Sequence, residues 1–127
     1  MTYKVESTKV TPEIDFDGNS GMLSIKGKSF WENADSFYGP ILSWLDKEYI
    51  PNPAEQTKLT IQLDYFNTAT AKALLDIFKK LEKVHDDGKT VNVVWRYLYF
   101  DEDLQESGED YQLLTSLPIT LEAFEGD

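Results

Sequence analysis

The sequence predicts an α/β protein, a mixed β-sheet with helices packed mainly on one face, in the order β-β-α-β-α-β-α-(β). Three observations lead there. Leu59, Ile61, Leu63 and Tyr65 alternate with Lys58, Thr60, Gln62 and Asp64, the period-two mark of a half-buried strand. Immediately afterwards Ala71, Leu74, Leu75, Phe78 and Leu81 recur at the spacing of one buried helix face. Near the start, the turn cluster Asp17-Gly18-Asn19-Ser20-Gly21 separates two short alternating runs, which reads as a hairpin. A hairpin followed by alternating helices and strands gives a mixed sheet under a layer of helices.

Taken in order, residues 1–9 show no period and read as an extended N-terminal segment. Ile14 and Phe16 form the inward side of the first strand, and Met22 to Lys28 the second, with Leu23 and Ile25 inward. Asn33 is placed to cap a helix whose apolar face is Ala34, Phe37, Tyr38, Ile41, Leu42, Leu45 and Tyr49. Gly39-Pro40 interrupts that run, predicting a kink or a later start with Pro40 in the first turn. Pro51-Asn52-Pro53 ends the helix.

The alternating strand around Ile61 follows, then a helix to about His85, stopped at Asp86-Asp87-Gly88 by a glycine suited to a left-handed C-terminal position. Thr90 to Tyr99 is the strongest strand. Val91, Val93, Trp95, Tyr97 and Tyr99 share one face, while Val94, Leu98 and Phe100 make the other apolar as well, as in a central strand. Asp101-Glu102-Asp103 suits a helix N-terminus. Gly108 weakens that helix, and Leu104, Tyr111, Leu113, Leu114 and Leu117 are its candidate buried residues. Ile119, Leu121 and Phe124, after Pro118, predict a final edge strand or a docked tail.

The 127 residues, 41% hydrophobic, suffice for one domain with a buried core, taken as residues 1–127. No apolar run spans a membrane, and Met1-Thr2-Tyr3-Lys4 leads into no secretory h-region. Cysteine is absent, which excludes disulfides, thiol catalysis and cysteine metal sites. The expected location is the cytoplasm. A formal charge of −11 argues against a nucleic-acid partner. Most of it lies late in the chain: from Asp86 onward there are 11 acidic side chains against Lys89 and Arg96 alone. Solubility explains such a run, and so does a basic partner surface.

The junction between the alternating strand and the helix is the candidate site. Asn67 has the side chain of a good N-cap, and Thr68 and Thr70 fall in the first turn behind it. A helix start carries free N–H groups and partial positive charge, so a phosphate is well placed there. Hydroxyl residues also occupy first turns for purely local hydrogen bonding. Where a strand hands over to a helix through such a hydroxyl, the arrangement resembles the anti-sigma-factor-antagonist (STAS) fold.

A closer resemblance rests on an ordered set of stretches: Thr11-Pro12-Glu13-Ile14, Ile25-Lys26-Gly27-Lys28-Ser29, Phe37-Tyr38-Gly39-Pro40-Ile41, Tyr65-Phe66-Asn67-Thr68-Ala69-Thr70-Ala71-Lys72, Val94-Trp95-Arg96-Tyr97, and Asp101-Glu102-Asp103 leading to Gly108-Glu109-Asp110. With them the chain resembles the SiaC-type regulatory phosphoproteins, a small bacterial family. The resemblance implies a non-enzymatic switch protein in c-di-GMP and biofilm control. It implies phosphorylation by a dedicated Ser/Thr kinase of histidine-kinase-like ATPase fold and dephosphorylation by a PP2C-type phosphatase. Unphosphorylated, such a protein binds and activates a diguanylate cyclase, a GGDEF-domain enzyme. The family's acceptor carries over to Thr68. Ala69-Thr70 stands where a second small hydroxyl often follows, which leaves Thr70 as the alternative acceptor. Tyr65, Phe66 and Lys72 around the turn, and Asp101, Glu102 and Asp103 in the acidic segment, are the candidate partner-binding residues.

Two other classes compete. One is a STAS-like antagonist binding an anti-sigma factor or a histidine-kinase-like ATPase. The other, more distant, is a metal-dependent hydrolase using the acidic segment, since carboxylates at Asp101, Glu102, Asp103, Glu106, Glu109 and Asp110 are the oxygen ligands Mg²⁺ or Ca²⁺ prefers. Against it, the sixth loop position, glycine in an EF-hand, holds Glu106. A solvated helix face or a partner-contact patch accounts for the same residues. His85, the single histidine, makes no metal site alone, and neither a nucleophile elbow nor a phosphate-cradling glycine loop is present. No cofactor is expected. An exposed Trp31 or Tyr38 would be an interface anchor.

Overall fold

A computed structural model describes residues 1–126. Six strands form one sheet in sequential order: β1 (Thr2–Val5), β2 (Glu13–Asp17), β3 (Met22–Ser29), β4 (Gln56–Phe66), β5 (Thr90–Leu98) and β6 (Ile119–Phe124). β1, β2 and β3 pair antiparallel, and β3 to β6 pair parallel. Each parallel step is bridged by a helix: α1 (Ala34–Trp44), α2 (Thr68–Asp86) and α3 (Glu102–Leu114). Successive crossovers between neighbouring strands share one hand, so all three helices land on the same face.

Alternation then decides which side chains enter the core. Ile14, Phe16, Leu23, Ile25, Leu59, Ile61, Val91, Val93 and Trp95 point to the helices and are buried. Their neighbours Lys26, Lys58, Thr60, Gln62, Asn92, Arg96 and Glu122 stand on the helix-free face. There Arg96 bonds Glu122 at 2.8 Å and lies 4.5 Å over the Phe124 ring.

The extended N-terminal segment is a strand, β1, too short for a period to show, that pairs with β2 from Thr2↔Asp17 to Val5↔Ile14. The C-terminal run is an edge strand, β6, rather than a docked tail. β5 is interior, between β4 and β6.

The first helix starts at Ala34, with the Asn33 side chain accepting the Ser36 N–H at 3.3 Å, and runs through Pro40. Gly39 and Pro40 lie on its exposed side, where the missing N–H faces water. Its C-terminal end widens into a π-helical turn, Leu45–Tyr49, closed by the Ile50 N–H donating to the Leu45 carbonyl at 2.8 Å. Trp44 and Tyr49 stack there at 5.7 Å, and the Tyr49 hydroxyl meets Thr57 at 2.6 Å.

The inward face of α2 is Thr70, Ala73, Leu74, Ile77, Phe78, Leu81 and Val84. Ala71 and Leu75 sit at its border, so the face is turned slightly from the one the sequence suggested. Gly88 ends the helix at φ +96°, a conformation glycine adopts without steric cost.

Candidate functional site

The C-terminal ends of β3, β4 and β5 and the first turns of α2 and α3 meet at one edge of the sheet. β4 stops at Phe66, and Asn67 turns the chain with φ −95° and ψ 177°. The Asn67 Oδ1 accepts the Thr70 N–H at 2.9 Å, satisfying an amide the helix cannot pair itself. Its backbone N–H donates to the Ser29 carbonyl at 3.1 Å, and its Nδ2 to the Trp31 carbonyl at 3.4 Å. The cap therefore ties the end of β4 to the end of β3.

Thr68 and Thr70 face opposite ways. Thr70 is 1% exposed; its hydroxyl donates to the Ser29 carbonyl at 3.0 Å and lies 2.7 Å from the Ser29 hydroxyl. Thr68 is exposed, and among the described residues no side-chain hydrogen bond engages its hydroxyl. It stands on the rim of an open groove of 370 Å³ between α2 and α3, lined mainly by apolar atoms, with Phe66 and Ala71 on one side and Tyr111 and Leu114 on the other. Lys72, one turn after Thr68, is exposed on the same rim opposite Asp110, and forms no ion pair among the described residues.

Tyr65 and Phe66 adjoin the acidic segment. A second cleft, of 210 Å³, brings Asp64, Tyr65 and Phe66 together with Asp101 and Asp103. Tyr65 is 56% exposed and meets Phe30 edge-on at 5.8 Å, while Phe66 turns inward to Trp95, also edge-on at 5.8 Å. Asp101 caps α3 by accepting the Leu104 N–H at 3.0 Å, and Glu102 and Asp103 are exposed in its first turn. Among the described residues no three His, Asp or Glu side chains converge enough to hold a metal ion. The groups able to act here are a free hydroxyl, exposed aromatic rings, a lysine and a row of carboxylates. No helix among the described residues is long and apolar enough to cross a membrane.

Tyr38 is buried at 1% exposure, as its place on the apolar face of α1 predicts, and is no surface anchor; Trp31, at 42%, is exposed. Other side chains fall elsewhere than sequence placed them. Tyr99 and Phe100 lie beyond the last pairing of β5 and are both exposed, in edge-to-face contact at 5.3 Å. Sequence reasoning missed both because strand alternation was extended past the end of β5; Phe30, just after β3, is a further surface aromatic that no pattern placed. Leu113 and Leu114 are exposed as well. The buried side of α3 is Leu104, Gly108 and Tyr111, at spacings of four and three, which puts Leu113 on the far side.

Gly108 has its own reason. A Cβ there would lie 2.6 Å from Trp95 Cδ1 and from Leu121 Cδ2, so only glycine lets α3 sit this close to β5 and β6. That approach also lets the Trp95 indole N–H donate to the Leu104 carbonyl at 2.9 Å. The Tyr111 hydroxyl then reaches α2, donating to the Ala71 carbonyl at 2.7 Å.

The fold and this turn define a STAS-like α/β protein: a mixed sheet, helices on one face, and a free hydroxyl where a central strand hands over to a helix. The sequence pattern described as the SiaC family regulatory phosphoprotein matches residues 5–124, and the chain belongs to that family. An uncharacterized protein of Pseudomonas aeruginosa (strain UCBPP-PA14) is 30% identical over 119 residues, covering 94% of each chain. The crystal structure of apo-SiaC from Pseudomonas aeruginosa superimposes with a TM-score of 0.86 at 28% identity, covering 97% of this chain and 99% of that one. SiaC in the crystal structure of the diguanylate cyclase SiaD in complex with its activator SiaC, also from Pseudomonas aeruginosa, gives 0.87 at 29% identity, covering 96% and 99%.

Proposed function

We propose that this chain is a non-enzymatic cytoplasmic switch, phosphorylated reversibly on Thr68, that binds and activates a diguanylate cyclase while Thr68 is free. The observation that carries the reading is the position of Thr68: exposed, its hydroxyl without a hydrogen bond among the described residues, at the first residue of α2 and on the rim of the α2–α3 groove. Membership of a family of regulatory phosphoproteins supports it, as does the likeness to an activator solved with its cyclase.

The physics suits a switch. Phosphorylation adds about −1.5 to −2 charges. The positive end of α2 favours that charge by roughly 0.3–1 kcal/mol, so the modified chain stays folded. A partner packed over the rim has to strip water from the phosphate or meet it with a cation, and dissociation costs less. Trp31, Tyr65 and Phe30 supply apolar anchors beside the turn, and Asp101, Glu102 and Asp103 an acidic border that fits a basic partner surface. A histidine-kinase-like Ser/Thr kinase and a PP2C-type phosphatase set the state of Thr68.

The test is intact-mass and peptide mass spectrometry after incubation with ATP and the candidate kinase of the same organism, with Thr68→Ala alongside. One phosphate, absent from the variant, is expected. A pulldown with the unmodified chain should recover a GGDEF-domain cyclase, and the phosphorylated chain should not. Equal cyclase affinity for both forms would overturn the switch, and capture of an anti-sigma factor instead would move the protein to the antagonist class.

A further inference from the structure

Three hydroxyls from three elements meet beneath the candidate turn. Ser29 ends β3, Tyr38 lies within α1, and Thr70 is in the first turn of α2. Ser29 Oγ is 2.8 Å from Tyr38 Oη and 2.7 Å from Thr70 Oγ1. All three are buried, at 3%, 1% and 1% exposure. A buried hydroxyl is costly unless bonded, and Ala, Phe and Val would fill the same space without that cost.

The bonding pattern admits one direction. Thr70 gives its proton to the Ser29 carbonyl. Its oxygen therefore accepts from Ser29, and Ser29 accepts from Tyr38. Every proton is used, in a chain whose members polarise one another. Burial pushes the Tyr38 phenol up to about 12, against the opposing pull of the Ser29 and Thr70 hydroxyls beside it, so it remains a donor at neutral pH. The same Ser29 carbonyl also receives the Asn67 N–H. Thr68 is thus flanked on both sides by residues fastened to the end of β3.

We infer that Ser29 and Tyr38 are positioning residues that select the acceptor, holding Thr70 in the core so that Thr68 alone is offered for modification. The inference deepens the phosphoacceptor reading and rests on it. In the transfer, a threonine Oγ1 bonds to the γ-phosphorus of ATP, the bond to ADP breaks, and the hydroxyl proton leaves to a base on the kinase. Thr68 can enter that geometry as it stands. Thr70 must first break its bonds to Ser29 and leave the core.

The absence of cysteine makes a single thiol a clean reporter. Thr68→Cys and Thr70→Cys are each labelled with 5,5′-dithiobis(2-nitrobenzoate), alone and combined with Tyr38→Phe or Ser29→Ala. The Thr68→Cys thiol should react as an exposed one in every background, and the Thr70→Cys thiol about 100-fold more slowly, through local opening. Either background change should speed the Thr70→Cys thiol roughly tenfold, the worth of one hydrogen bond, and leave the other thiol unchanged. In the kinase reaction, phosphate confined to Thr68 should spread to Thr70 in the Tyr38→Phe chain. Similar rates for the two thiols, or a rise shared by both from global opening, would overturn the inference. So would phosphate still confined to Thr68. The thiol rates need no kinase, so a chain that takes no phosphate overturns the acceptor assignment separately.

Discussion

Thr68 and Thr70 are two residues apart on one helical turn, yet one hydroxyl is in water and the other in the protein interior. The same residue type therefore does two jobs. Thr70 joins α2 to β3 and α1 through Ser29 and Tyr38. Thr68 stands free at the rim of a groove. The turn is held from its inner side, so its outer side can change charge without loss of the fold.

The largest effect that would break this contrast is at the outer hydroxyl. Thr68→Ala should abolish phosphate uptake in the kinase reaction while leaving the free energy of urea unfolding within about 0.5 kcal/mol of the parent, as for other exposed positions. Thr70→Val should do the reverse. Removing a buried, doubly bonded hydroxyl and orphaning its partner should cost about 1–3 kcal/mol in the same measurement. An unchanged unfolding midpoint would reduce the inner network to decoration.

Gly108→Ala sharpens the comparison at the other wall of the groove. Helix propensity alone would stabilise the alanine chain by about 1 kcal/mol. The contacts at 2.6 Å with Trp95 and Leu121 predict instead a loss of about 1–3 kcal/mol, with changed fluorescence from Trp95. Asn67→Ala should cost about 0.5–2 kcal/mol, the worth of an N-cap, and should lower hydrogen-exchange protection at the Thr70 amide before any other.

The smallest effect is a pH dependence. Glu82 on α2 holds the loop before β6, accepting from the Ser116 N–H and the Thr115 hydroxyl at 2.7 Å each and from the Ser116 hydroxyl at 3.0 Å. Burial raises its pKa, but these bonds and nearby Lys79 outweigh burial and bring it from 4.5 to about 2. A carboxylate lowered by folding stabilises the fold above its unfolded value. That stability is lost as pH falls from about 4.5 toward 2. Glu82→Gln should flatten this limb of the stability–pH curve. Tyr38, Tyr111 and Tyr3 share the opposite limb, since burial raises each phenol; the Tyr38 contribution is whole below pH 10 and lost as pH rises toward 12.

Much of this was readable from local pattern. Alternation around Ile61 gave β4, the spacing from Leu74 to Leu81 gave α2, and Asn67 at their junction gave the cap. Thr70 was readable too. Counting back from Ala73, Leu74 and Ile77 at helical spacing puts it on the buried face, while Thr68 falls off it. Ser29 follows Leu23 and Ile25 in phase, a polar residue on the inward side of β3. The signal was present, but a lone buried hydroxyl has no meaning until its partner is known.

The sequence by itself determined the order of elements from β2 onward, the cap at Asn67 and the inward positions of β2, β3 and the bodies of β4 and β5, because these follow from short-range periods and local hydrogen bonding within one segment. Only the tertiary structure decided that Ser29, Tyr38 and Thr70 meet, that Gly108 is a contact with Trp95 and Leu121, and that Tyr99, Phe100 and Leu113 are left in water. Those facts depend on pairs far apart in the chain. Local pattern says which way a side chain points, and packing alone says what is waiting there.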